Sequence, residues 1–159
     1  MIRWLNLDIE TESNIGSQAD QIKRFQLLSE VLNHNGVENE VVHESISAMD
    51  LAARLPEYFQ TFQQIRVSSS SCDEMRTLMS RAPSMTMSLK VCDAFVHEAD
   101  GWWPRCFLYE AMQVVVAKHV TGLDFTGGVF VIGAGAMTRA VVGALVRVGF
   151  EKINITDPY

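Results

Sequence analysis

The chain has no run of basic residues. Its 159 residues hold 13 Lys and Arg against 19 Asp and Glu, a formal net charge of -6. Without a Lys/Arg stripe to neutralise phosphates, nucleic acid is not an expected partner. The same acidic balance argues against anionic membrane surfaces. Long apolar runs are also missing. The longest, such as Val114–Ala117 and Val129–Ala134, fall far short of the roughly 20 residues that span a bilayer. The N-terminus meets Asp8, Glu10 and Glu12 too early to read as a signal peptide. Cysteine is scarce and odd in number. Cys72, Cys92 and Cys106 match no metal motif and suit a reducing compartment better than a disulfide framework. His34, His43, His97 and His119 have no ligand spacing, so no metal site is expected. These absences together predict a soluble, cytoplasmic protein.

Hydrophobic residues make up 48% and charged residues 20%, which is ordinary for a globular protein with a buried core. Alternation over 2–9 predicts a first strand, followed by a polar turn at Thr11–Ser17. Ile22, Phe25, Leu28, Val31 and Leu32 recur at helical spacing and predict a helix over 19–34, stopped by Asn35-Gly36. A short strand over 38–44 follows. Ser47 is the expected cap of a helix over 48–63. Gln64–Ser69 reads as a strand and Asp73–Arg81 as a helix ending before Pro83. Met85–Phe95 reads as extended. Asp100-Gly101 is the turn of a hairpin whose return strand is Trp102–Phe107. Leu108–His119 reads as a helix, Leu123–Gly128 as a polar loop and Val129–Ile132 as a buried strand. Ala136–Val148 is the last helix and Lys152–Thr156 the last strand. The fold class is therefore α/β, with a boundary near 107–122 between two units.

The strongest motif runs from Gly128 to Ala140. A buried strand enters Gly133, which makes the tight turn, and Gly135 lets the backbone approach a pyrophosphate. Ala134, Ala136 and Met137 complete the turn. Free N–H groups at the start of the next helix then face the anion, aided by the helix dipole. Thr138 stands where a third glycine often packs the helix on the sheet. Arg139, in the first helical turn, is a candidate phosphate contact or a surface residue. Asp157, just past the second strand, is placed to bind the ribose hydroxyls of NAD and to repel the 2′-phosphate of NADP. The cofactor-binding set is thus Gly133, Ala134, Gly135, Ala136, Met137, Thr138, Arg139 and Asp157, with NAD favoured over NADP.

This turn, Gly133-Ala-Gly-Ala-Met-Thr-Arg139-Ala140, preceded by Leu123-Asp-Phe-Thr-Gly-Gly128, resembles the opening of the Rossmann domain in the shikimate dehydrogenase family. The order of elements upstream is also similar. The resemblance implies an N-terminal substrate-type domain over 1–107, a connecting helix over 108–122 and the first βαβ of a doubly wound dinucleotide-binding domain over 123–159. It implies NAD(P)-dependent reduction of a ketone on a small cyclic acid. The family's proton relay is a Lys and an Asp. By topology the Lys loop corresponds to Arg66–Cys72, so Cys72 replaces the Lys, and Phe107 replaces the Asp. The family's Ser-x-Ser is also missing, since Ile15-Gly16 is followed by Ser17-Gln18-Ala19. A rival register puts Lys90 and Asp100 in those roles but leaves too little chain between them. Glutamyl-tRNA reductase shares the GAG-x-M turn, yet its nucleophilic Cys has no counterpart.

No catalytic residue is therefore assigned. Two readings stay open. One is an oxidoreductase of the shikimate dehydrogenase type with its catalytic residues impaired or lost. The other is a non-catalytic nucleotide-sensing or protein-interaction module on the same fold. Both imply a small-molecule nucleotide as partner. A homodimer, or a longer native chain, is expected to complete the unfinished sheet.

Overall fold

The structure is a computed structural model and describes residues 1–10, 18–68 and 82–157. The first unit is a five-stranded sheet. Strand β1 (Ile2–Glu10) leads through helix α1 (Gln18–His34) to β2 (Asn39–Ser47), and helix α2 (Ala48–Thr61) leads to β3 (Gln64–Val67). A hairpin of β4 (Ala94–Glu98) and β5 (Gly101–Arg105) completes the order β2-β1-β3-β4-β5. β1 pairs in parallel with β2 and β3, whereas β4 runs antiparallel to β3 and to β5.

Period two along β1 decides which face is the core. Leu5, Leu7 and Ile9 are fully buried and meet Ile65 and Val67 of β3 and Ile46 of β2. Leu51, Leu55, Tyr58 and Phe62 of α2 cover them. Each such side chain contributes roughly 1.5–3 kcal/mol by leaving water. Ser47 caps α2 as expected, its Oγ accepting the Asp50 N–H at 3.2 Å. Trp102 stacks on Phe59, with ring centroids 4.7 Å apart, and its Nε1–H donates to the Phe59 carbonyl.

Helix α3 (Ser84–Leu89) corrects the expectation of an extended segment over Met85–Phe95. The apolar–polar alternation of Ser-Met-Thr-Met-Ser-Leu imitates a strand. Met85 and Leu89, four apart, instead share a helical face that packs against the second unit. Lys90 ends α3 in the left-handed region, with φ 55°.

Helix α4 (Phe107–Lys118) joins the units. The second unit is β6 (Gly128–Ile132), helix α5 (Gly135–Val148) and β7 (Lys152–Thr156), with β6 and β7 parallel. Ala136, Ala140 and Ala144 form one buried face of α5 against Tyr109, Val91 and Cys106. Their small side chains allow close helix packing, and a Cβ at Gly143 would overlap the Leu89 Cδ2 atom. The expectation of a buried strand at 129–132 is also corrected. Phe130 is 75% and Ile132 72% exposed, because α5 covers only the opposite face of the two-stranded sheet. No helix among the described residues is long and apolar enough to cross a membrane.

Candidate functional site

The glycine turn begins where β6 ends. The Gly133 N–H donates to the Thr156 carbonyl at 2.9 Å, so Gly133 is still tied to the β7 ladder. Its φ of 137° then swings the chain off the sheet. Ala134 is the N-cap of α5, with φ -132° and ψ 175°, and Gly135 opens the helix with φ 84°. Alanine offers no oxygen to the first-turn amides, where Ser, Thr or Asp would usually cap them. A Cβ at Gly135 would meet nothing within 4 Å, so the turn is open on that side. At Gly133 a Cβ would lie 3.1 Å from the Thr138 Oγ1. Thr138 therefore packs on the turn itself, at the place expected for a close helix–strand contact. Gly149, with φ 117°, closes the helix by donating its N–H to the Leu145 and Val146 carbonyls.

The eight residues predicted from the sequence divide here. Gly133 to Thr138 form one contiguous turn of backbone amides, with Ala134 and Met137 exposed. The Ala136 side chain is buried against α4, so only its backbone faces the turn. Asp157 follows Thr156 and is carried next to the turn by the Gly133–Thr156 hydrogen bond. Arg139 is engaged elsewhere. Its Nε donates to the Leu89 carbonyl at 3.0 Å and its Nη2 to the Lys90 carbonyl at 3.2 Å. It thereby satisfies the carbonyl end of α3 and fastens that helix to α5.

The positions matched to the family's proton relay look different. Cys72 and the segment Ile15–Ser17 lie outside the described residues. Phe107 is the first residue of α4, and its ring lies under the Arg66 guanidinium at 5.4 Å. The Asp93 carboxylate caps that helix by accepting the Phe107 N–H at 2.7 Å and the Leu108 N–H at 2.8 Å. Lys90 sits at the end of α3, and Asp100 accepts the Trp103 indole N–H at the hairpin tip. Burial pushes the Cys92 thiol up to about 12 and the Cys106 thiol up to about 11, so neither is a thiolate at neutral pH.

Sequence reasoning missed a second polar region. The face of the sheet opposite the apolar core carries Asn6 and Asp8 of β1, His43 of β2, Arg66 of β3 and Ser68 just after it. Asn6, Asp8 and Ser68 are all buried. The signal was available in the alternation of Trp4, Asn6 and Asp8 with Leu5, Leu7 and Ile9.

No protein-family model matches the chain, and no curated protein matches it. Solved structures do. The shikimate 5-dehydrogenase of Thermus thermophilus in complex with shikimate is 18% identical with a TM-score of 0.73, over 100% of this chain and 57% of that one. The shikimate dehydrogenase of Aquifex aeolicus is 14% identical with a TM-score of 0.72, over 99% and 56%. The quinate dehydrogenase of Corynebacterium glutamicum in complex with NAD is 16% identical with a TM-score of 0.69, over 98% and 55%. This chain thus spans little more than half the length of these proteins. Along that span it has the shikimate dehydrogenase fold, with the five-stranded mixed sheet followed by the βαβ unit of β6, α5 and β7.

Proposed function

We propose that the chain binds a nicotinamide dinucleotide at the 133–138 turn, as part of an oxidoreductase of the shikimate dehydrogenase type. The carrying observation is the open Gly133-Ala134-Gly135 turn, with an uncapped helix N-terminus and nothing beyond its chain neighbours and its own helix backbone within 4 Å of a Cβ at Gly135. Such a turn fits a diphosphate, whose oxygens take up the first-turn amides. Asp157 beside it fits ribose hydroxyls and favours NAD over NADP. When bound, the cofactor supplies a hydride-accepting or hydride-donating nicotinamide. The protein's part is to hold the diphosphate with the amides of 133–138. It also packs Thr138 against Gly133 and fixes α5 through the Arg139 bonds to α3. Among the structural neighbours, one Thermus thermophilus structure holds NADP(H) with shikimate and the quinate dehydrogenase holds NAD.

Phe107 favours the second reading for this chain's own chemistry. An aromatic ring where the family places a carboxylate can neither give nor take a proton. On this reading the chain keeps nucleotide binding on a non-catalytic fold. We assign residues 1–107 to the substrate-type unit, 108–122 to the connection and 123–159 to the nucleotide-binding unit. Calorimetric titration with NAD, NADP and ADP-ribose tests the proposal. Binding of NAD and ADP-ribose, with NADP weaker, supports it. No heat at millimolar NAD, or a preference for NADP, contradicts it. Turnover with shikimate or quinate plus NAD would reject the non-catalytic reading.

A further inference from the structure

The polar face of the five-stranded sheet holds two opposite charges that do not meet. Asn6 of β1 stands beside His43 on β2 and Arg66 on β3, and Asp8 stands two residues further along β1 on the same face. Arg66 and Asp8 are thus diagonal neighbours on adjacent strands, a spacing at which long side chains interact. Asp8 is only 8% exposed, and its Oδ1 accepts the Ser68 hydroxyl at 2.7 Å. Arg66 lies over the Phe107 ring, and its buried Nε has no hydrogen-bond acceptor. Among the described residues neither forms an ion pair. The Asn6 amide is taken by His43 Nδ1, at 3.1 Å. The Trp4 indole N–H, on the same face of β1, is also buried without an acceptor.

The Arg66 guanidinium is half-buried with its Nε shut away from both water and any acceptor, and a buried carboxylate is ordinarily matched by a countercharge. The simplest internal solution is for the two to close into a salt bridge. In the structure Asp8 instead accepts the Ser68 hydroxyl and Arg66 lies over the Phe107 ring. The complement of such a pair is a molecule with a negative end and a positive end. We infer that this face recognises a small zwitterion of the amino-acid class, its carboxylate paired with Arg66 and its ammonium with Asp8. A hydroxyl would give Asp8 a hydrogen bond but leave its charge unmatched. The ammonium supplies both. The Trp4 N–H stands ready as a further donor to the carboxylate end. On the oxidoreductase reading this site takes the second substrate. Its binding is measured without nucleotide, so its failure and the failure of the nucleotide reading are separable.

The test is calorimetric titration of the whole chain with matched pairs: glycine and glycolate, alanine and lactate, serine and glycerate, 4-aminobutyrate and 4-hydroxybutyrate. At least one amino acid is expected to bind about tenfold or more tightly than its hydroxy-acid twin. Arg66→Gln should abolish that binding and Arg66→Lys should weaken it. Asp8→Asn should erase the preference for the amino compound while leaving weak carboxylate binding. Thermal melts establish that each variant is folded. If Asp8→Asn does not fold, the ligand pairs and the two Arg66 variants decide. Equal or tighter binding of the hydroxy acids overturns the inference. So does binding that survives Arg66→Gln, or no binding of any compound at tens of millimolar.

Discussion

Gly135→Ala isolates backbone strain from crowding. The residue has a φ of 84°, and a Cβ there would touch nothing within 4 Å. The whole stability effect is therefore conformational, about 1–2 kcal/mol for placing a non-glycine residue in the left-handed region. Unfolding entropy near 2.1 cal/mol/K per residue, over 159 residues, amounts to about 0.33 kcal/mol per degree. The expected loss in Tm is then about 3–6 °C. Gly122→Ala is the matched control. Its Cβ also meets nothing within 4 Å, and its φ lies outside the left-handed region. It should change stability by less than about 0.5 kcal/mol. The new methyl at 135 also occupies the approach a diphosphate needs, so NAD affinity should fall about tenfold or more, while Gly122→Ala leaves it unchanged. Far-ultraviolet circular dichroism melts and calorimetry read the two effects. Equal melts for the two variants, or wild-type NAD affinity in Gly135→Ala, would refute the reasoning.

Asp93→Ala removes both acceptors at the start of α4 and should lower stability by about 1–3 kcal/mol, measured by denaturant unfolding. A loss under about 0.5 kcal/mol would show that solvent caps that helix equally well. Cys92 and Cys106, both buried and with raised pKa values, should react with a thiol reagent at pH 8 only after denaturation. Rapid native labelling at either position would contradict their burial. Burial lowers the pKa of His43 below 6.5, so the unfolded chain takes up this proton first. That contribution is complete above pH 6.5 and is lost as pH falls through the lowered folded value. Stability should therefore decline from pH 7 toward 5.5, and His43→Gln should flatten part of that slope.

The sequence revealed the elements whose period matched their burial. Leu5, Leu7 and Ile9 announce β1, and the Gly133–Gly135 turn carries the helix that follows it. What escaped depended on tertiary neighbours. Met85 and Met87 alternate with polar residues as a strand would, but the contacts of Met85 and Leu89 with the second unit favour a helix. Val129-Phe-Val-Ile132 reads as a strand buried on both faces, yet only Val129 and Val131 lie on the face that α5 covers. Arg139 reads as a phosphate contact or a surface residue because it follows the turn. Its observed partners, Leu89 and Lys90, belong to the helix that alternation had hidden. The alternation along β1 marks the Asp8 side of the polar face, but its pairing with Arg66 is not legible in the sequence. The two charges lie far apart in the chain, and only strand pairing makes them neighbours.

The most direct test is to map NAD binding onto individual backbone amides by nuclear magnetic resonance. Binding at the turn gives progressive, saturable shifts centred on the amides of 133–138, with a smaller response at Asp157. An unchanged spectrum at millimolar NAD, or shifts confined to other parts of the chain, would contradict it.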